Sequence, residues 1–240
     1  MNRNKIISIL SLCFLLSCKN EKPINQQEAA PVDSVITEVA VVIDTIPKKI
    51  AAPIPDYDTS QWVDMGQLDT SFVLDLRYAT SNNFVKEQLY SCPRCFLRPK
   101  VAQVLLKIQK DLLSEGLRLK FFDCYRPLSI QQQLWNKVPD ATYVTNPKKG
   151  SMHNRGLAVD LTFVDEYGVE LDMGTDFDFF GRKAHHTHTD HTKEVLKNRR
   201  LLKSTMEAAG FKSIRTEWWH YSYLYAKYPL AEMEWECPER

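Results

Sequence analysis

The segment "SMHNRGLAVDLTF", residues 151–163, sets polar and apolar demands against each other. From Leu157 onward, Leu157, Val159, Leu161 and Phe163 fall on one face of a period-two strand, and Ala158, Asp160 and Thr162 fall on the other. The alternation predicts a strand laid on a core, with Asp160 turned away from it. Taken alone, this reads as a half-buried strand carrying a solvated acid. That reading leaves His153 and Gly156, just upstream, without a purpose.

A second stretch gives them one. "TEWWHY", residues 216–221, adds His220 and Glu217. Two histidines and a carboxylate, His153, Asp160 and His220, make a common three-ligand zinc shell that leaves a fourth position for water, the arrangement of a catalytic site. Glu217, three residues before His220, is the candidate to take a proton from that water. In a regular strand, positions i and i+3 face opposite sides, so the two converge only where the segment bulges, turns or ends its ladder. A carbonyl under attack develops negative charge on oxygen. Arg126, in "DCYRP" at 123–127, offers the always-charged planar donor fork suited to it.

The remainder of the chain frames these residues. Its 240 residues carry 31 basic and 30 acidic side chains, a net charge of +1. That balance leaves no basic excess for nucleic acid, which is excluded as a partner. The start, "MNRNKIISILSLCFLLSCKNEK", has a short basic region and an apolar run too short to span a bilayer permanently. It reads as an export signal over residues 1–17. "LLSC" at 15–18 matches a bacterial lipobox, in which Cys18 becomes the acylated first residue, lipid-anchored to a membrane and facing the periplasm or cell surface. Residues 19–60 hold five of the twelve prolines, and the one persistent pattern there is "ITEVAVVIDTI" at 36–46, so 18–60 reads as a flexible, disordered tether. The folded domain is placed at 61–240.

Within that domain, "SFVLDLRY" (71–78), "LRLKFF" (117–122) and the aromatic run from 217 read as strands. Residues 99–116, from about 128 to 135, and 192–209 read as helices, the first with an apolar stripe of Val101, Val104, Leu105, Ile108 and Leu112. Helices and strands mix without regular alternation, which favours a single α+β domain. Cys92, Cys95, Cys124 and Cys237 remain if Cys13 leaves with the signal and Cys18 is acylated. An even number in an exported protein favours disulfides, with three pairings open. "CPRC" at 92–95 also admits a zinc or redox reading, although no second such motif follows. "HHTHTDH" at 185–191 is a rival metal cluster, read more readily as a loop.

"SMHNRGLAVDLT" and "EWWHY", with "DCYRP", "LRYATSNNF" and "MGTDFDF", resemble the D-alanyl-D-alanine dipeptidases associated with vancomycin resistance and with cell-wall dipeptide use. The resemblance runs from about Leu74 to Tyr221. It implies one Zn2+ on His153, Asp160 and His220, with Glu217 as catalytic base and Arg126 as transition-state stabiliser. It implies further that Tyr78 and Asp178 hold the substrate ammonium and that Ser151 contacts its carboxylate end. The implied fold is an α+β domain around a small, mostly antiparallel sheet flanked by helices, and the implied activity is hydrolysis of D-alanyl-D-alanine. The tether, "CPRC" and Cys124 depart from the pattern, and an exported position points to wall-peptide turnover or scavenging. Two alternatives stay open: a carboxypeptidase trimming peptidoglycan stems, and a non-catalytic zinc-bearing wall-binding module. The second has no use for a base and an oxyanion partner.

Overall fold

The computed structural model describes residues 55–237. The signal segment, Cys18 and the tether through residue 54 lie outside the described residues. The last tether residues do not behave as tether: Asp56 pairs with Arg94, and the Tyr57 ring meets Phe96 edge-on, so packing begins ahead of residue 61. Among the described residues no helix is long and apolar enough to cross a membrane.

A five-stranded sheet is built from β2 (Val73–Leu74), β4 (Leu117–Asp123), β5 (Ala158–Asp165), β6 (Phe211–Ser213) and β7 (His220–Tyr223), in the order β2-β4-β5-β7-β6. Only the β2–β4 pair is parallel; the other three are antiparallel. A separate ribbon pairs β1 (Val63–Asp64) with β3 (Phe96–Leu97). Helix α1 (Met65–Leu68) is short, while α2 (Pro99–Leu113), α3 (Leu128–Lys137) and α4 (Lys193–Ala208) supply the helical packing. The α+β architecture with a small, mostly antiparallel sheet is as expected. The 71–78 strand is shorter than its pattern predicts: after Leu74 the chain turns into a 3-10 helix at Arg77–Ala79 that delivers Tyr78 to the interior.

Register assigns the two faces of the sheet. Leu119 pairs with Phe163, Phe121 with Leu161, Val159 with Tyr221 and Phe211 with Tyr223, so these side chains share the apolar face. They join Val101, Leu105, Ile108 and Leu112 of α2 and Leu202 and Met206 of α4 in one core. Each such side chain contributes roughly 1.5–3 kcal/mol on burial. Val104, assigned to the α2 stripe, is only half-buried.

The opposite face carries Asp160 beside His220 and Ala158 beside Ser222. Asp160 is 3% exposed, which overturns its reading as a solvated strand acid: β5 lies between β4 and β7 and is covered on both faces. The β4–β5 register slips between Phe121 and Asp123, leaving Phe122 as the extra residue of a bulge. Without the slip, Asp123 would continue the face of Leu119 and Phe121. With it, Asp123 stands opposite Asp160, and Phe122 stacks on Phe177 at 5.0 Å.

Two disulfides close the domain, Cys95–Cys124 and Cys92–Cys237. "CPRC" therefore sends its two thiols to different partners, and the zinc and redox readings of that motif fall. Cys95–Cys124 joins β3 to the end of β4 across a separation of 29 residues. By the chain-entropy model, its removal in a Cys95→Ser/Cys124→Ser variant should cost about 3–4 kcal/mol. The expected drop in Tm is on the order of 10 °C, read by calorimetry, and an unchanged Tm would refute the pairing.

Candidate metal and catalytic site

The residues singled out in sequence meet at one cleft of about 330 Å³, whose lining includes Tyr78, Arg126, Ser151, His153, Asp160, Asp178, Glu217 and His220. Its floor is the polar face of the sheet. Asp160 and His220 sit opposite each other on β5 and β7, and His153 enters from a 3-10 turn, His153–Arg155, that ends at Gly156. Gly156 has φ +68°, and a Cβ there would lie 2.5 Å from the Trp62 ring. Only glycine meets both demands cheaply, which is why a Gly separates His153 from the strand.

Three ligand atoms converge. His153 Nε2 lies 3.0 Å from His220 Nδ1 and 3.4 Å from Asp160 Oδ1, and His220 Nδ1 lies 3.0 Å from Asp160 Oδ1. Tetrahedral ligands at zinc distances stand about 3.3 Å apart, so the set fits such an ion. Outer partners prepare the rings. His153 Nδ1 is 2.7 Å from the Cys124 carbonyl, which only accepts, so the proton sits on Nδ1 and the Nε2 lone pair faces the centre. His220 Nε2 is 2.9 Å from Ser222 Oγ, which gives that nitrogen's proton an acceptor when Nδ1 turns its lone pair inward. Among the described residues this is the group of three side chains able to hold a metal. The nitrogens of "HHTHTDH" do not converge, and His191 Nε2 binds the Lys183 carbonyl instead.

Glu217 lies in the bend just before β7 rather than on it, which removes the i, i+3 objection. Burial pushes its carboxyl up to about 8, the Asp160 and Asp178 charges adding to the effect and His220 opposing it. Asp178 adopts φ +60°, a strained conformation for a non-glycine residue, and accepts a long hydrogen bond from Tyr78 Oη at 3.2 Å. Burial and the Asp160 charge push it up to about 8 as well. Burial opposes ionisation of Asp160 too, but the two histidines hold it well below the usual carboxylate range.

Arg126 is fixed from several sides. Its Nε and Nη2 donate to Asp123 Oδ2 at 3.0 and 2.6 Å, its Nη1 donates to Gln131 Oε1 at 2.9 Å, and its guanidinium lies over the Tyr78 ring. Burial would weaken its charge, yet Asp123 holds its pKa well above the ordinary value. Ser151 Oγ accepts from the His153 backbone N–H at 3.1 Å at the cleft wall.

Sequence reasoning passed over Asp123, Tyr90, Asn154 and Ser222. Tyr90 Oη donates to Asp123 Oδ1 at 2.7 Å, and Asn154 bridges the Arg126 carbonyl and the Ser151 N–H. The signal for Ser222 was present, because a hydroxyl two residues after a strand histidine shares its face. Asp123 depends on the bulge and had no local signal.

Asp123, Asp160, Asp178 and Glu217 set four carboxyl groups around one guanidinium, that of Arg126. Without a cation, Glu217 and Asp178 stay protonated at neutral pH. Their pKa is raised in the fold, so each contributes stability that is present below its unfolded value near 4 and lost as pH rises through about 8. A divalent cation on His153, Asp160 and His220 would offset part of this negative charge.

A family profile described as D-ala-D-ala dipeptidase matches residues 58–236. The chain is 36% identical over 181 residues to the D-alanyl-D-alanine dipeptidase of Escherichia coli, covering 75% of this chain and 94% of that protein. It is 31% identical over 176 residues to the enzyme of the same name from Enterococcus faecalis, covering 65% and 87%. A solved structure described as VanYB in complex with D-alanine-D-alanine aligns at 17% identity and TM-score 0.36, covering 54% of this chain and 72% of that one, a likeness too slight to bear on the site.

Ser222→Ala should weaken zinc binding about 10-fold or more by removing the outer partner of His220. His153→Ala should abolish binding and His185→Ala should leave it unchanged. Competition titration with a chelator checks all three, and metal loss in His185→Ala alone would reassign the site.

Proposed function

The chain belongs to the D-ala-D-ala dipeptidase family, and on that premise we propose that this cleft hydrolyses D-alanyl-D-alanine to two D-alanines with one zinc ion on His153, Asp160 and His220. The observation that carries the assignment is the convergence of three lone pairs beside an enclosed carboxyl and a fixed guanidinium. Zinc, when bound, polarises the scissile carbonyl and makes water acidic enough to attack at neutral pH.

The chain's own groups do the rest. Glu217 accepts the proton of the attacking water and returns it to the departing amine, a task open to its carboxyl once bound cations hold it ionised. Arg126 directs its fork at the carbonyl oxygen as negative charge develops there, with its geometry set beforehand by Asp123 and Gln131. Asp178, with Tyr78 beside it, ionises to pair with the substrate ammonium, and Ser151 meets the carboxylate end. The ammonium is thus part of the site's electrostatic balance. An N-blocked stem peptide brings no such charge and leaves Asp178 unpaired, which favours the dipeptidase over a carboxypeptidase.

Glu217→Gln should keep zinc and lose turnover by about 10²-fold or more, the scale of removing a general base. Wild type should reject N-acetyl-D-alanyl-D-alanine by about 10⁴-fold, and Asp178→Ala should narrow that gap. Similar rates on the two substrates would assign the chain to carboxypeptidase chemistry.

We place the enzyme outside the cytoplasm, lipid-anchored through Cys18 to a bacterial membrane and acting in wall-peptide turnover or scavenging. The lipobox motif and the two disulfides support this placement, because such bonds persist in oxidising compartments. Fatty-acid labelling should mark the wild type and not Cys18→Ala, with turnover unchanged. An unlabelled wild type would remove the anchor.

A further inference from the structure

The chain after β7 runs without regular secondary structure against Tyr125, Asn154 and Arg155, as a strap. Arg155 Nη1 donates to the Tyr228 carbonyl at 2.9 Å, and the Ala231 N–H donates to the Asn154 carbonyl at 2.9 Å. Tyr125 Oη donates to the Ala231 carbonyl and accepts from the Met233 N–H. Further along, Arg94 Nη1 donates to the Glu236 carbonyl at 3.0 Å, and the strap ends at Cys237, bonded to Cys92.

Between these ties the half-buried Trp235 lays its ring against Tyr90 (5.4 Å between centroids), Phe96 (5.5 Å) and Tyr125 (6.3 Å). Tyr90 is the outer support of the catalytic guanidinium: its hydroxyl donates to Asp123 Oδ1, and Asp123 Oδ2 takes both the Nε and Nη2 of Arg126. Asp123 follows the bulge, and its carboxylate is aimed by what binds it, Tyr90 on Oδ1 and Arg126 on Oδ2, so among the described residues the tyrosine is its one hydrogen-bonded tie outside the guanidinium pair. The aromatic contact fixes the Tyr90 ring, the ring fixes the hydroxyl, and the hydroxyl fixes the carboxylate.

We propose that Trp235 is a positioning residue for hydrolysis, acting through Tyr90 and Asp123 on Arg126 and held in place by the Cys92–Cys237 disulfide. The inference rests on the reading of Arg126 as the oxyanion partner. A donor fork displaced by a fraction of an ångström still admits substrate but serves the transition state less well, so the loss falls on kcat and spares KM.

The test measures kcat, KM and zinc content with D-alanyl-D-alanine for wild type, Trp235→Ala, Trp235→Phe, Cys92→Ser/Cys237→Ser, Arg126→Ala, and Trp235→Ala combined with Arg126→Ala. Trp235→Ala should lower kcat about 10-fold with KM within about 2-fold and zinc content unchanged, and Trp235→Phe should restore most of the rate. The cysteine pair keeps every aromatic side chain but frees the end of the strap, and it should show a smaller fall in kcat alone, which keeps the test open should Trp235→Ala fold poorly. With Arg126 already removed, Trp235→Ala should change kcat by less than about 2-fold. Equal losses with and without Arg126, or an unchanged kcat in both Trp235→Ala and the cysteine pair, overturn the inference and leave the role of Arg126 intact. A near-normal rate in Arg126→Ala alone overturns that role and the inference with it.

Discussion

Two carboxylates, Asp123 and Asp160, stand opposite each other on neighbouring strands in a nearly dry interior. Like charges so placed repel, and each has also given up water. The surrounding chemistry answers that cost: Arg126 takes one acid through two N–H groups, and His153 and His220 face the other. Tyr90, Arg126, His153 and His220 each bring a partner to one of these two acids from a different part of the chain. The site is a charge problem, with four carboxyl groups and one guanidinium in a small buried volume.

The sheet makes this arrangement possible by dividing labour between its faces. One face is apolar and holds α2 and α4; the other is given over to the polar row that runs Asp123, Asp160, His220. The bulge at Phe122 lets a single strand serve both, supplying Leu119 and Phe121 to the core and then Asp123 to the polar face, beneath Arg126. Segments outside the regular ladder, such as the turn at Glu217 and the strained residue Asp178, carry the groups that must exchange protons or charge, each anchored by a buried aromatic neighbour, Trp218 and Phe177.

Period-two alternation from Leu157 to Phe163 and the apolar stripe on α2 were legible in sequence because they reflect local geometry, and both elements form where the pattern puts them. The three ligand residues were legible because their chemical types suit one ion, and their convergence required no knowledge of the loops between them. The burial of Asp160 was not legible: whether a strand lies at an edge or in the middle depends on partners far along the chain. Asp123 was hidden for a related reason, since a one-residue slip in register reverses which face a side chain takes. The disulfide pairing had three solutions in sequence, and only the folded path of β3 and β4 selects Cys95 with Cys124.

The two histidines differ in who orients them. His220 relies on a side chain, Ser222, whereas His153 relies on a main-chain carbonyl, that of Cys124. No substitution at position 124 can delete a carbonyl, so the aim of His153 is insulated from single-residue change for as long as the strand keeps its path. The hydroxyl at 222 has no such protection. Variation among descendants of this sequence can therefore adjust the hold on the metal at 222 in small steps, while the other ring remains an inherited constant of the backbone.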